Sequence, residues 1–418
     1  MIRFLFLFFF CMVSLSVQAQ SRVTLGIDRL LMEEEFSILL KNKQIGLITN
    51  QSAINCQLKT TAELLMDVAK REGFEIKAIF APEHGFYGDV YANGAEQDRK
   101  IGSIPVFSLH GTRRRPTAVE LEGINLLIFD IQDIGSRSYS YISTLFTFME
   151  EAAKYKIDFL VLDRPNPLGG NLIDGLIVEK KWSSFFGYID IPYCHGMTVA
   201  ELAELFKAEY QEDCSLRVIP MKGWTRTMTF QDTGLVWIPT SPQIPEMDTP
   251  FFYPVTGILG HLSFASIGIG YTLPFKIVGA PWIEGEKFAK EMNQLGLPGV
   301  SFHPFYFRPF FGMYKQKPCQ GVKIAILNPQ EFLPITTGYA LMGMIKSLYP
   351  GRFQAVLEDL MANVNKQATF HKLNGKEEVL KIIAQEKYFI WKLKALCNQD
   401  RDNFAKRRKK YLIASYAG

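Results

Sequence analysis

Within APEHGFYGD (Ala81–Asp89), a carboxylic acid and an imidazole, Glu83 and His84, stand side by side. They follow EIKAIF (Glu75–Phe80), which reads as a short buried strand that Pro82 stops. Gly85 and Gly88 then let the backbone turn sharply. At the mouth of a parallel strand such a pair suits proton transfer.

Three further strand ends finish in polar, turn-rich motifs. QIGLITN ends in Asn50; NLLIFD runs into IQDIGSRSYSY with Asp130, Gln132, Asp133 and Arg137; DFLVLD ends in RPNPLGG with Asp163, Arg164 and Asn166. Any one of these motifs is ordinary turn chemistry. Four on one sheet edge favour a site, because ligands of open α/β sheets sit beyond the carboxyl ends of the strands. A fifth element, YCHGMTVAELAELF, sets His195 just before a helix that Thr198 and Glu201 should cap as a reciprocal box. That histidine either faces the same cleft or is a satisfied loop residue.

The elements that must position these groups alternate. Near-continuous apolar strands are separated by helical patterns over Thr60–Glu72 and Ser143–Lys154. That rhythm predicts an α/β domain with a mostly parallel, Rossmann-like sheet covered on both faces, over 20–219. From about 220 the segments shorten and gain Pro, Trp and Tyr, which predicts a smaller α+β C-terminal domain over 220–418. There GVKIAIL is a strand, 355–390 an amphipathic helix, and Lys406–Lys410 a solvated helix end.

Composition narrows the function classes. The 418 residues are 48% hydrophobic, enough for two cores, and the net charge of +4 is too small to argue for nucleic acid. Met1-Ile2-Arg3, the apolar run Phe4–Leu15 and the small residues at Val17-Gln18-Ala19 predict a signal peptide over 1–19, cleaved after Ala19. An exported, periplasmic or secreted bacterial protein is the expectation, with no membrane span after cleavage. Of six cysteines, Cys11 lies in the apolar run, and the other five show no CxxC or zinc spacing, so buried free thiols are expected. No GxGxxG follows the first strand, and Walker and GxSxG motifs are absent, so no cofactor or metal is expected.

A carboxyl-rich cleft with arginines and many aromatics (13%) suits glycoside hydrolysis, where one carboxyl protonates the leaving oxygen and a second activates water or attacks the sugar. Glu83 is the candidate acid and His84 the group that tunes it or orients a water. For the second carboxylate Asp133, Asp163 and Asp89 stand in that order.

The long motifs also resemble a known family. APEHGFYGD, SLHG (Ser108–Gly111), FDIQDIGSRSYSYISTL, LDRPNPLGG, HGMTVAEL, TSPQIP (Thr240–Pro245) and FKIVGAPWI are similar to the NamZ-type exo-β-N-acetylmuramidases of bacteria, over nearly all of the mature chain. The resemblance implies a cleft between the two domains, a presumed catalytic Glu at Glu83, and removal of non-reducing-end N-acetylmuramic acid (MurNAc) from peptidoglycan fragments. The implied partner is a muropeptide or other MurNAc-containing saccharide. Tyr139 and Ser241, within two of the quoted motifs, join Asn50, Gln132, Arg137, Arg164, Asn166 and His195 as the candidate substrate-binding set. One stretch departs. Where the family carries FEG…SEGRGTTRPF, this chain has GHLSFASIGIGYTLPF (Gly260–Phe275), so two Glu become His261 and Ile267 and two Arg become Ile269 and Leu273. Losing two cations weakens recognition of a lactyl carboxylate; Arg137, Arg164 and Arg226 remain as carboxylate partners. A fragment-binding protein without catalysis, or a hydrolase of another acidic sugar or an ester, are the alternatives these residues leave.

Overall fold

The computed structural model describes residues 23–417 except 93 and 95; the signal-peptide expectation lies outside the described residues. The first domain is built on seven strands: β1 (Gln44–Thr49), β2 (Glu75–Ala81), β3 (Arg99–Ile101), β4 (Ile104–Ser108), β5 (Leu126–Asp130), β6 (Asp158–Leu162) and β7 (Leu216–Ile219). Their order is β3-β4-β2-β1-β5-β6-β7. All neighbours pair in parallel except β3, which turns back on β4. Leaving out that edge strand, the chain winds outward from β1 in both directions, as in a dinucleotide-binding sheet. The winding reverses between β1 and β5, which opens a crevice where Asn50 and the Asp130–Asp133 loop leave the sheet.

Both sheet faces are buried, which is why the strands read as continuous apolar runs. Leu126 and Ile128 join one apolar cluster with Ile45, Leu47 and Leu160. Leu127 and Phe129, one residue out of phase, join another that runs on into the second domain through Phe252, Val255 and Leu341. The helix Thr61–Glu72, in the stretch expected to be helical, starts on a reciprocal Thr60 and Glu63 box and stops at Gly73. The helix Tyr141–Tyr155 is nearly all buried, wedged between the sheet and the rest of the chain.

The second domain holds a three-stranded antiparallel sheet, ordered β8 (Ile277–Ala280), β10 (Cys319–Ile326) and β9 (Val300–Phe307), packed with helices. Its first helix, Thr249–His261, packs on Pro334–Leu348. The expected single helix over 355–390 is corrected to three: Pro350–Ala362, Val364–Asn374 and Glu378–Gln385. Asn363 caps the second and Gly375, in the left-handed region, ends it. In the basic run Lys406–Lys410 the three lysines are exposed, as expected of a solvated helix end, but the two arginines are not. Arg408 is buried and donates to His195 O, and Arg407 pairs with Glu209 and Asp190, so this end of the helix clamps the second domain onto the first. Cys194, Cys214, Cys319 and Cys397 are buried free thiols. Among the described residues no helix is long and apolar enough to cross a membrane.

Candidate active site

Glu83 occupies the second position of a tight turn closed by the Gly85 N–H on Pro82 O, at 3.0 Å. The third position belongs to His84, at φ +73°, a left-handed conformation that type II turns normally give to Gly or Asn. A non-glycine residue held there is a strained feature of the kind found at functional sites. What holds it is a hydrogen-bond frame. The His84 N–H donates to His110 Nδ1 at 3.1 Å, and the His84 ring meets Val90 O through Nδ1 at 2.7 Å. A backbone N–H can only donate, so His110 Nδ1 is the unprotonated nitrogen and its Nε2–H donates to Gly94 O at 3.2 Å. By the same reasoning His84 carries its proton on Nδ1, and burial lowers its pKa, so the ring is neutral with Nε2 a bare acceptor.

The two glycines of the motif are required by contact as well as conformation. A Cβ on Gly85 would stand 1.9 Å from Glu96 Oε2, and one on Gly88 would stand 1.8 Å from Gln51 Nε2. Both have positive φ. Gln51, in the loop after β1, in turn donates to Pro239 O at 2.7 Å, which ties that loop to the segment entering the second domain.

The Glu83 side chain is 14% exposed, neither sealed nor turned to bulk water. Arg114 Nη1 lies 3.3 Å from Oε2, with its guanidinium over the Phe185 ring. No described residue bonds Oε1. Arg114 escaped the sequence reading. Its only signal was its place in the Arg113-Arg114-Arg115 run four residues past His110, and such runs are usually solvated.

Opposite Glu83 stands a cluster of phenols. Tyr141 and Tyr253 both feel the Glu83 charge, and Tyr253 also feels Asp133, while burial lifts the Tyr253 hydroxyl to about 12. Tyr253 therefore lies within electrostatic reach of both carboxyl groups. Its ring meets Tyr139 and Phe275 edge-on, and its hydroxyl lies 3.2 Å from Ser138 Oγ. Tyr139 bonds Thr240 Oγ1 and Tyr141 bonds Thr240 O, and Ser241 beside them is buried against Tyr139. Asn50 donates to Tyr141 and accepts from Ser52, so it orients a phenol. Gln132 donates to Asp133 O and Pro165 O and fixes the loop that carries Asp133.

Asp133 is buried, with Oδ2 accepting from the Gly135 N–H at 2.7 Å and Oδ1 lacking any partner. Burial pushes its carboxyl up to about 7. His195 presents Nε2 at 3.9 Å from Oδ2, beyond hydrogen-bond reach. A buried acceptor without a partner, Oδ1, and a buried imidazole nitrogen without one, His195 Nε2, are each costly, and native structures keep such groups for a reason.

Five predicted site residues have other work. Asp163 is sealed. Oδ1 accepts from the Arg164 and Ala200 N–H groups, and Oδ2 accepts the Tyr416 hydroxyl at 2.7 Å, so it locks a helix start and the C-terminal segment to β6 and is no second carboxylate. Arg164 forms a two-pronged pair with Asp130 and donates to Ile54 O, a buried ion pair that ties the end of β5 to the loops after β1 and β6. Arg137, fully buried, spends its guanidinium on the carbonyls of Leu176, Ile191 and, across the domains, Leu373. Asn166 bonds Met197 O and the Leu168 N–H, tying two loops together. His195 is fully buried, with Nδ1 accepting the Met197 N–H and burial lowering its pKa to about 3, so it is neutral and out of reach of a ligand. Arg226, the third expected carboxylate partner, pairs with Glu201. The third-ranked carboxylate, Asp89, lies exposed on the outer side of the loop.

A cavity of about 470 Å³ adjoins Tyr253, bounded by Tyr193, the end of the helix Thr249–His261, and Ile267, Ile269 and Phe275. Its size is that of a small-ligand site. A second hollow of similar size, around the Lys276–Glu246–Asp248 ion triad, shares no catalytic candidate.

Comparison with known proteins decides the family. Models of the N-terminal and C-terminal parts of the exo-β-N-acetylmuramidase NamZ match residues 45–248 and 251–413. The chain belongs to the NamZ family. The peptidoglycan β-N-acetylmuramidase NamZ of Bacillus subtilis (strain 168) is 38% identical over 395 residues, 94% of this chain and 91% of that protein. A crystal structure of a DUF1343 family protein from Bacteroides fragilis superposes with a TM-score of 0.85 at 38% identity, covering 94% of this chain and 99% of the other. A second from the same organism gives 0.67 at 26%, with the same coverage. The match spans both domains of the NamZ architecture, so the cleft motifs and the departing Gly260–Phe275 stretch stand in a shared frame.

Proposed function

We propose that this chain is an exo-acting glycoside hydrolase that removes β-linked N-acetylmuramic acid from the non-reducing ends of peptidoglycan fragments, with Glu83 as its acid. Family membership supports the reaction class and the substrate type. The carrying observation is Glu83 itself: a mostly buried carboxyl on a strained, pinned turn, one oxygen held by Arg114 and the other unbonded, within electrostatic reach of the Tyr253 that borders a sugar-sized cavity. Oε1 gives its proton to the glycosidic oxygen as the bond to C1 breaks. Asp133 is the second carboxylate, acting once it has lost the proton that burial holds on it. Tyr253, within reach of both charges, positions the sugar between them. The signal-like pattern over residues 1–19 supports export, which fits a substrate of the cell wall.

The test is release of the chromophore from an aryl β-N-acetylmuramide and of GlcNAc from the MurNAc–GlcNAc disaccharide. Turnover by wild type and none by Glu83→Gln is expected. Equal rates for the two proteins would reject Glu83 as the acid, and no turnover by either would reject the reaction.

A further inference from the structure

The cavity beside Tyr253 has a lining without a formal charge. Among the residues that bound it, Tyr193, Tyr253, Ile267, Ile269, Phe275 and Met313 supply apolar surface, and Ser263, Ser266 and Thr369 supply hydroxyls. His261 is its one titratable imidazole, and burial lowers its pKa, so it is neutral. The cations around it are committed elsewhere. Arg137 lies behind the wall on three carbonyls, Lys366 near His261 pairs with Asp359 at 2.6 Å, and Arg114 holds Glu83.

A carboxylate brought into such a space gives up its water without meeting a cation, whereas an amide loses far less and can bond the hydroxyls. We infer that this cavity receives an uncharged acyl group, and that the enzyme therefore prefers muramyl residues whose lactyl carboxyl is capped as an amide, as it is where a stem peptide is attached, over free N-acetylmuramic acid. This inference rests on the proposed reaction for its choice of ligand, since the cavity adjoins the phenol that senses both Glu83 and Asp133. The wall residue that sets the preference is Ile269, part-exposed to the cavity on a loop held by Gly268 and Gly270, both at positive φ.

The experiment is calorimetric binding of two ligands to Glu83→Gln, which removes turnover from the readout: methyl β-N-acetylmuramide with its free lactyl carboxylate, and the same sugar as its lactyl methylamide. At least ten-fold tighter binding of the methylamide is expected, with Ile269→Arg reversing the order and Ile269→Leu leaving it unchanged. Equal affinities, tighter binding of the free acid, or binding of neither overturns the inference. Melting curves of each variant check that the domain is folded. A binding preference that persists while wild type releases no sugar sinks the reaction and leaves the subsite standing; turnover of both sugars at equal kcat/KM, with equal binding, does the reverse.

Discussion

The backbone N–H of His84 donates to Nδ1 of His110 at 3.1 Å, and this bond joins the end of β2 to the end of β4 under the candidate acid. It makes a second histidine, 26 residues away, the anchor of a left-handed turn. His110→Ala removes the acceptor and frees the Glu83–His84 peptide to relax. His110→Asn retains an acceptor of similar reach. The expectation is a drop in kcat of about 10²-fold for the alanine variant, the scale of an ångström-sized misplacement, with little change in KM. Partial recovery in the asparagine variant separates positioning from simple loss of fold.

Glu83→Gln keeps the size of the side chain and the bond to Arg114 but offers no proton. Its kcat should fall at least about 10³-fold, or ~4 kcal/mol of barrier, with an unchanged melting temperature. Arg114→Met leaves the carboxyl in place without its partner, so a smaller loss is expected together with a shifted pH profile. The profile is the deciding measurement, because a packing defect lowers the rate at all pH values alike.

Asp133 should impose an acid limb on kcat/KM. Its carboxyl is held to about 7 by burial, and it acts as the ionised group, so activity rises with pH through that range. Asp133→Asn should abolish turnover while retaining binding of a methyl muramide. A flat profile between pH 5 and 8 in wild type removes Asp133 from the reaction.

Asp163 gives a stability prediction of opposite sense to that of a surface salt bridge. Burial lifts its folded pKa to about 7, above the ordinary value of 3.8, so the native state binds the extra proton between those values. The resulting contribution is complete below about pH 4 and is lost as pH rises through about 7. Wild type should therefore lose stability relative to Asp163→Asn from pH 5 to 7, with a slope of at most ~1.4 kcal/mol per pH unit. Urea unfolding at several pH values measures it.

Arg137→Met should be among the most damaging substitutions. Three carbonyls lose their donor, the buried ones of Leu176 and Ile191 and the part-buried Leu373 O of the second domain, at about 1–3 kcal/mol for each buried group left unsatisfied. Chemical denaturation should show the loss, together with weaker coupling between the domains in native-state hydrogen exchange.

The sequence by itself determined the parallel sheet, because strands buried on both faces must be apolar at successive positions, as in NLLIFD and DFLVLD. It determined the Thr60 and Thr198 helix starts, whose signals lie within four residues, and the turn that carries Glu83, whose glycines are local necessities. It marked the strand-end polar residues as a group, yet it left open which of them face a ligand. Only the tertiary structure decided that, since a buried polar group takes whichever partner the fold brings to it. Asp163 meets the start of a helix and Tyr416 of the C-terminal segment, Arg164 meets Asp130, and Arg137 meets a carbonyl 236 residues away. Arg114 and Tyr253 reach Glu83 from loops and helices with no motif of their own, because electrostatic reach depends on distance in space and leaves no period in the chain.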